Sequence, residues 1–178
     1  MIELILSYGQ AAHAGNTLAA VQVALLLFAC GVYLVQGLRL TLIDVREHRL
    51  PDALVLPLFA WLGVPLFAVV ILDNDMLRAR NTAWGAIFLF GCYWLLRKAS
   101  RNSLGFGDVK LAGIVGMICG FVSPLHILWA TLLAFLLGGA YGLFLVVFRR
   151  VSARSHIPFG PFMLAGCALA LLTPASNL

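Results

Sequence analysis

Long apolar runs and short polar links alternate along the whole sequence. An apolar helix needs about 20 residues to cross a lipid bilayer, and six runs have about that length or fall somewhat short of it. They cover about residues 18–43, 53–72, 82–96, 109–122, 125–148 and 157–172. The pattern predicts an all-α polytopic membrane protein, a bundle of about six transmembrane helices that forms a single domain over residues 1–178.

The composition agrees with this pattern. Hydrophobic residues make up 62% of the chain and charged residues 11%, whereas a soluble domain has about 45 to 50% apolar and about 25% charged residues. Six crossings leave no room for a soluble domain.

Residues 1–16 have no basic flank ahead of an apolar core, so we expect a segment on the outer membrane surface and no cleaved signal peptide.

The basic residues predict the orientation, because cytoplasmic loops collect Lys and Arg. Ten of the twelve fall on one side of the six-helix scheme, and only Arg78 and Arg80 fall on the other. The ten are Arg39, Arg46, Arg49, Arg97, Lys98, Arg101, Lys110, Arg149, Arg150 and Arg154. Both termini are then outside. Contact with anionic membrane lipid explains the net charge of +5, so we expect no nucleic-acid partner.

Two acids stand where apolar runs begin or end. Asp44 follows the first run, and Asp108 precedes the fourth. An acid costs about 2.5 to 3.5 kcal/mol at the centre of a membrane helix and less near the interface, so acids kept there are usually functional. Asp108 also has a structural interpretation as the N-cap of the fourth helix. Asp44 has none, because it faces the negative end of a helix dipole.

Two neighbouring carboxylates can share one proton, activate water and protonate a leaving amine. Asp44 and Asp108 are 64 positions apart (108 minus 44), so this chemistry requires the two acids to meet, which packing of the first and fourth helices would achieve. The histidines and serines of the sequence offer no comparable catalytic set. His48 and His156 form no His-Glu-x-x-His arrangement, and no serine in a glycine motif faces a His or Lys.

Two further sets of residues have packing interpretations. Small residues at a spacing of four allow helix backbones to approach closely. They are Ala112, Gly116 and Gly120 in the fourth helix, and Gly138 and Gly142 in the fifth. The cysteines occur singly, without ligand spacing, and we interpret them as buried thiols. They are Cys30, Cys92, Cys119 and Cys167.

Three motifs resemble those of the type IV prepilin peptidase family, membrane aspartic proteases of bacteria. In that family one acid follows a transmembrane helix and precedes a Leu-Pro-Asp-like turn, which here are Asp44 and Leu50-Pro51-Asp52. The other acid lies in a Gly-x-Gly-Asp motif, here Gly105-Phe106-Gly107-Asp108. The third match, Ile157-Pro158-Phe159-Gly160-Pro161-Phe162, begins the last helix. The three matches run from Asp44 to about Gly166.

The resemblance implies an endopeptidase of the bacterial inner membrane with Asp44 and Asp108 as its catalytic pair. Its substrate would be a prepilin or pseudopilin, whose basic leader is removed after a glycine at the cytoplasmic face. The larger members of the family carry a cytoplasmic insertion with zinc-binding cysteine pairs and an N-methyltransferase activity. This chain goes from its first helix straight to Asp44, so we expect a peptidase-only short form without a metal or other cofactor.

The remaining motif residues match the family as positioning residues. They are Pro51, Asp52, Gly105, Gly107, Lys110, Pro158, Gly160 and Pro161. We expect Asp52 to cap the second helix and Lys110 to anchor the fourth at the lipid headgroups. The two glycines before Asp108 should permit a tight approach of backbone to that acid. The Phe159-Gly160-Pro161 break either lines a substrate groove or kinks a helix.

Three alternatives remain. Intramembrane acids also serve as proton relays, which would make the protein a small transporter. The chain would otherwise be a non-catalytic membrane subunit of a pilus or secretion system. A distant resemblance to presenilin-type proteases rests on Gly-x-Gly-Asp alone.

Overall fold

The computed structural model describes residues 1–47, 50–100, 104–148 and 158–173. These ranges contain seven helices and no strand, so the all-α prediction is confirmed. The helices are α1 Ile2–His13, α2 Thr17–Glu47, α3 Asp52–Asp73, α4 Met76–Ala99, α5 Phe106–Val122, α6 Pro124–Val147 and α7 Gly160–Leu172. Each of the six predicted apolar runs forms one helix, α2 to α7.

Three of the described helices, α2, α3 and α6, are long and apolar enough to cross a bilayer. The other helices depart from that standard in different ways. Helix α4 has 24 residues but carries basic residues near both ends, whereas α5 and α7 have 17 and 13 residues. The protein is therefore a membrane protein, and the number of six crossings stays a prediction.

Helix α1 adds a seventh element in the segment expected on the membrane surface. Met1 is buried, and Leu4, Ile5 and Tyr8 pack against the core. These positions form one helical stripe, the pattern of an amphipathic helix. The segment therefore packs against the bundle, chiefly against α2.

Helix α5 occupies the centre of the bundle. Apart from Lys110, every residue from Asp108 to Phe121 is buried, and α5 packs against α3, α4, α6 and α7. A helix covered on all sides needs small side chains where its neighbours come closest, because interiors are packed without large voids. The sequence of α5 meets this need with glycines at positions 113, 116 and 120.

The closest of these contacts joins α5 to α4. A Cβ added to Gly116 would overlap the carbonyl oxygen of Gly85, and a Cβ added to Gly85 would overlap that of Gly116. One turn further along, Gly120 lies against the backbone of Asn81. The pairing is antiparallel, and the predicted packing role of the small residues on α5 is confirmed. Gly138 of α6 likewise packs, against the rings of Phe159 and Phe162.

The end of the bundle opposite Asp44 and Asp108 is closed by a distal polar cluster. Its centre is Asp73, whose carboxylate accepts hydrogen bonds from the hydroxyl of Tyr8, from Nε2 of Gln22 at 2.6 Å and from Nη1 of Arg78 at 2.7 Å. Arg78 also pairs with Asp75 at 3.5 Å. Four helix segments, α1, α2, the end of α3 and the start of α4, are thereby joined.

The cysteines depart in part from the expectation. Cys119 and Cys167 are buried side by side, with their Sγ atoms 3.7 Å apart. Cys30 is half-buried, and Cys92 is exposed on α4. The interpretation as four buried thiols is therefore wrong for Cys92. An apolar side chain in a membrane helix has no need of protein around it, since lipid tails are equally apolar.

The glycine contact between α4 and α5 yields a test of stability. Gly116→Ala should destabilise the folded bundle by roughly 1 to 3 kcal/mol, because the added methyl group meets backbone that has no room to withdraw. The thermal unfolding midpoint in detergent measures this loss.

Gly91→Ala on α4 is the matched control. An added Cβ at Gly91 meets no atom within 4 Å, and alanine is the better helix former. The control should be as stable as the parent or more so. Equal midpoints for the two variants would show that the backbone contact does not limit stability.

Candidate active site

Asp44 and Asp108 lie together at one end of the bundle. Asp44 is in the last turn of α2 and 4% exposed, whereas Asp108 is in the first turn of α5 and 9% exposed. The two carboxyl groups are near enough for their charges to interact. The two acids therefore come together as the acid pair required, but α2 and α5 are joined mainly through α3 and α7, which pack against both, and not by direct packing as expected. The catalytic role of the pair stays a prediction.

A backbone amide holds Asp44. The N–H of Gly160 donates a buried hydrogen bond to Oδ2 of Asp44 at 3.1 Å. Gly160 is the first residue of α7, so this donor is one of the unpaired amides at the positive end of a helix. The sequence indicated only the unfavourable carbonyl end of α2 next to Asp44. The start of α7 offsets that disadvantage.

Asp108 does not cap its helix. Helix α5 begins at Phe106 with Gly105 as its N-cap, and Asp108 is the third residue. Its Oδ2 atom lies 3.3 Å from the point where a Cβ on Gly105 would be. The N-cap interpretation is therefore wrong. The expected close approach between Gly105 and the acid is confirmed.

Leu50, just before α3, connects the two glycine-containing motifs. A Cβ on Gly107 would lie 2.5 Å from Cβ of Leu50, so only glycine fits there without a shift. A Cβ on Gly160 would lie 3.4 Å from Cδ1 of Leu50 and 2.7 Å from Oδ2 of Asp44. The close neighbour of Gly107 is thus Leu50 and not the acid. The three sequence motifs therefore lie in contact with one another around Leu50.

Asp52 and Lys110 make an ion pair that the sequence did not predict. Lys110 Nζ lies 2.6 Å from Oδ1 of Asp52. Asp52 is not the cap of α3, because Pro51 takes the N-cap position in extended conformation and Asp52 is the first helical residue. The Lys110 side chain is only 14% exposed. Its ammonium group therefore reaches Asp52, whereas an anchor in the lipid headgroups was expected.

The Phe159-Gly160-Pro161 break is the start of α7. Phe159 is the N-cap, and Pro161 lies in the first turn, where its missing N–H costs no hydrogen bond. The break is therefore not a kink within a helix. Pro158 precedes it and is half-buried.

Several residues of the sequence argument lie outside the described residues: His48, Arg49, Arg101, Arg149, Arg150, Arg154, His156 and Ile157.

Three aromatic rings form a cluster near the acids. The ring of Tyr93 lies 6.1 Å from that of Phe135 and 6.3 Å from that of Phe159, and the latter two are 5.2 Å apart. Tyr93 is 3% exposed and interacts electrostatically with Asp108. Sequence reasoning missed Tyr93, because a tyrosine in an apolar helix carries no signal beyond packing.

The arrangement suits acid/base chemistry. Two buried carboxyl groups whose charges interact favour a state in which only one of them is ionised. The Gly160 amide fixes the direction of one of them. Such a pair can take a proton from water and deliver another to a leaving group. Among the described residues, no three His, Cys, Asp or Glu side chains come together as a metal site.

Comparison with known proteins identifies the family. The model of the type IV leader peptidase family matches residues 32–143, more than half of the chain. A prepilin leader peptidase/N-methyltransferase of Stutzerimonas stutzeri is 34% identical over 143 residues, which are 76% of this chain and 46% of that protein. A protein of the same name from Pseudomonas aeruginosa is 34% identical over 76% of this chain and 46% of its own length. Another, from Escherichia coli K12, is 31% identical over 83% of this chain and 62% of its own length.

The chain thus spans about half the length of the first of these relatives. No solved structure matches it. The extent of the family match, together with relatives above 30% identity, shows that the chain belongs to the type IV leader peptidase family.

Proposed function

We propose that the protein is a membrane aspartic endopeptidase that removes the basic leader peptide of type IV prepilins or pseudopilins. The observation that carries this proposal is the burial of Asp44 and Asp108 together at one end of the bundle, with the Gly160 amide on Asp44. The relatives support the substrate class, since their names describe prepilin leader peptidases.

In the proposed reaction, the acid pair holds one proton. The ionised carboxylate takes a proton from a water molecule, and the resulting hydroxide attacks the carbonyl carbon of the scissile peptide. The protonated carboxyl donates its proton to the carbonyl oxygen. Collapse of the tetrahedral intermediate then breaks the C–N bond, and a proton from the pair goes to the leaving amine. Each carboxyl acts alternately as acid and base.

The same proposal places the acid pair at the cytoplasmic face of the bacterial inner membrane, with both termini outside. Arg46, Arg97 and Lys98 are in the last turns of α2 and α4, at the end of the bundle that holds the acids. Arg78 and Arg80 are in the first turns of α4, at the opposite end. The charge difference supports a cytoplasmic site.

The proposal covers the peptidase activity alone. The relatives' names also include an N-methyltransferase, but the paired cysteines that the resemblance associates with that insertion are absent from this sequence. Major pilins, small Flp-type pilins and secretion pseudopilins all fit the substrate class.

The proton-pathway alternative is less well supported. A relay across the membrane needs polar groups along its length. Among the described residues, the buried acids lie at one end, Asp44 and Asp108, and Gln22, Thr82 and His126 lie at the other. Between them, the buried Tyr33 hydroxyl already donates to the carbonyl oxygen of Leu164. A non-catalytic subunit would have no need of both acids.

Replacing either acid by its amide tests the proposed mechanism. Asp108→Asn and Asp44→Asn should insert and fold normally, because an amide has nearly the same size and its oxygen still accepts a hydrogen bond. Cleavage of a co-reconstituted prepilin, followed by mass spectrometry, should fall by about 100- to 10,000-fold in each variant. The double variant should be scarcely slower than either single one, because jointly acting residues are non-additive.

The matched control is Asp75→Asn at the distal end. Asp75 caps α4 by accepting a hydrogen bond from the Arg78 amide at 2.9 Å, and Asn caps as well as Asp. This variant should keep the parent rate. A near-parental rate in Asp44→Asn or Asp108→Asn would end the two-aspartate mechanism.

Gly160→Ala tests the role of the amide on Asp44. The added Cβ would lie 2.7 Å from Oδ2 of Asp44, so the carboxylate has to move. A displacement of about 1 Å can reduce a rate by about 100-fold, and we expect a loss of up to that size in kcat with little change in KM. Gly139→Ala on α6, where no atom lies within 4 Å of an added Cβ, is the control. Equal rates in both variants would refute the role.

Cysteine labelling tests the orientation. On intact cells, a membrane-impermeant maleimide should label Met76→Cys, at the start of α4, and should label Ser100→Cys, just after its end, only once the cells are permeabilised. The parent chain, with its four native cysteines, gives the background. The reverse pattern would put the acids outside the cytoplasm.

A further inference from the structure

The ion pair between Asp52 and Lys110 joins two of the sequence motifs in space. Nζ of Lys110 lies 2.6 Å from Oδ1 of Asp52, although 58 positions separate the residues (110 minus 52). Asp52 is the first residue of α3, and Lys110 is in the first turns of α5. The contact therefore ties the starts of these two helices together.

The two partners have unequal surroundings. The Lys110 side chain is 14% exposed and that of Asp52 is 61% exposed. Lys110 interrupts the buried face of α5, with Val109 and Leu111 fully buried on either side. A covered lysine stem can carry its ammonium group to a polar partner at the edge of the protein. Asp52 is that partner.

An aromatic ring restricts where the ammonium group can lie. Lys110 Nζ is 4.8 Å from the centre of the Phe106 ring, and Arg97 of α4 contacts the same ring at 5.0 Å. Cations near the face of an aromatic ring are attracted to it. The ring thus connects the lysine to the end of α4 as well as to α5.

The ion pair is linked to both acids through its neighbours in the chain. Lys110 is two residues after Asp108, and Asp52 is two residues after Leu50. Leu50 in turn packs against Gly107, next to Asp108, and against Gly160, whose amide holds Asp44. A shift of the start of α3 relative to α5 would therefore move Leu50 and change the separation of the two acids.

We propose that Asp52 and Lys110 form a positioning pair that keeps Asp44 and Asp108 at their working separation. The catalytic consequence of this pair rests on the proposed peptidase function, whereas its geometric consequence does not. An ion pair with a largely exposed acid adds little to stability, but small displacements of reacting groups have large effects on rate. Loss of the pair should therefore affect kcat much more than thermal stability.

The first measurement needs no activity. Asp44→Cys/Asp108→Cys is prepared with Lys110 intact and with Lys110→Met, in lipid vesicles. The rate of oxidation to a 44–108 disulfide by copper phenanthroline is followed by peptide mass spectrometry. Methionine keeps the length and the apolar contacts of lysine without its charge. We expect the cross-link to form several-fold more slowly with Lys110→Met.

The second measurement uses the otherwise unaltered chain and a co-reconstituted prepilin. Lys110→Met and Asp52→Asn should each lower kcat by about 10- to 100-fold, with KM within about twofold and the unfolding midpoint nearly unchanged. The double variant should equal the single ones, and the charge-swapped Asp52→Lys/Lys110→Asp should regain much of the rate. Lys98→Met, whose ammonium lies over the ring of Trp94 at 3.9 Å, should behave as the parent.

The outcomes separate the two proposals. If the parent fails to cleave prepilin but the 44–108 cross-link depends on Lys110, the proposed function is wrong and the positioning pair stands. A parent that cleaves while Lys110→Met changes neither kcat nor cross-linking overturns the pair. A change in only one of these two quantities overturns it as well. If Lys110→Met fails to fold, the charge-swapped variant decides by the same criteria.

Discussion

The backbone contact between α4 and α5 is the constraint on which the rest of the structure depends. At Gly85 and Gly116 neither helix has room for even one more methyl group, so the two helices hold a single register. Because α5 is also covered by α3, α6 and α7, its position sets theirs. Asp108 stands in the first turn of this central helix, and its depth and direction follow from the same contact.

The acid end of the bundle is made from helix ends. Helix α2 stops there, and α3, α5 and α7 start there. Helix starts supply amides without partners inside the helix, and one of them, at Gly160, meets the buried carboxylate of Asp44. A buried acid is costly unless it finds hydrogen-bond donors or gives up its charge. The fold provides the donor, and the second acid allows a proton to be shared.

Much of this architecture follows from the sequence, and the exceptions have physical reasons. The apolar runs give six helices, and the glycine spacing gives the packing of α5. Helix α4 begins at Met76, ahead of the predicted start at 82, because Arg78 is paired with Asp73 and Asp75 and does not interrupt the helix. A search for apolar runs misses this start, because Arg78 and its partners are all charged residues a few positions apart in the chain.

The candidate site likewise contains residues that the sequence indicates and residues that it does not. Both acids stand out because a carboxylate beside an apolar run is unusual. The bond from Gly160 to Asp44 spans 116 positions, and the pairing of Asp52 with Lys110 depends on how α3 meets α5. Tyr93 has no distinguishing neighbour in the chain. Each of these contacts depends on tertiary packing, and no periodic pattern in a single sequence indicates it.

The separation of the two polar ends has a consequence for the energy stored across the membrane. Between the acids and the distal polar cluster, the buried side chains of the described residues carry no charge, and the buried Tyr33 hydroxyl donates to the carbonyl oxygen of Leu164. The described residues therefore form no continuous row of buried charged groups from one end of the bundle to the other. Moving one charge across a potential of 100 mV is worth about 2.3 kcal/mol, and the separation of the two polar ends keeps the buried acids from joining a path that would dissipate that energy.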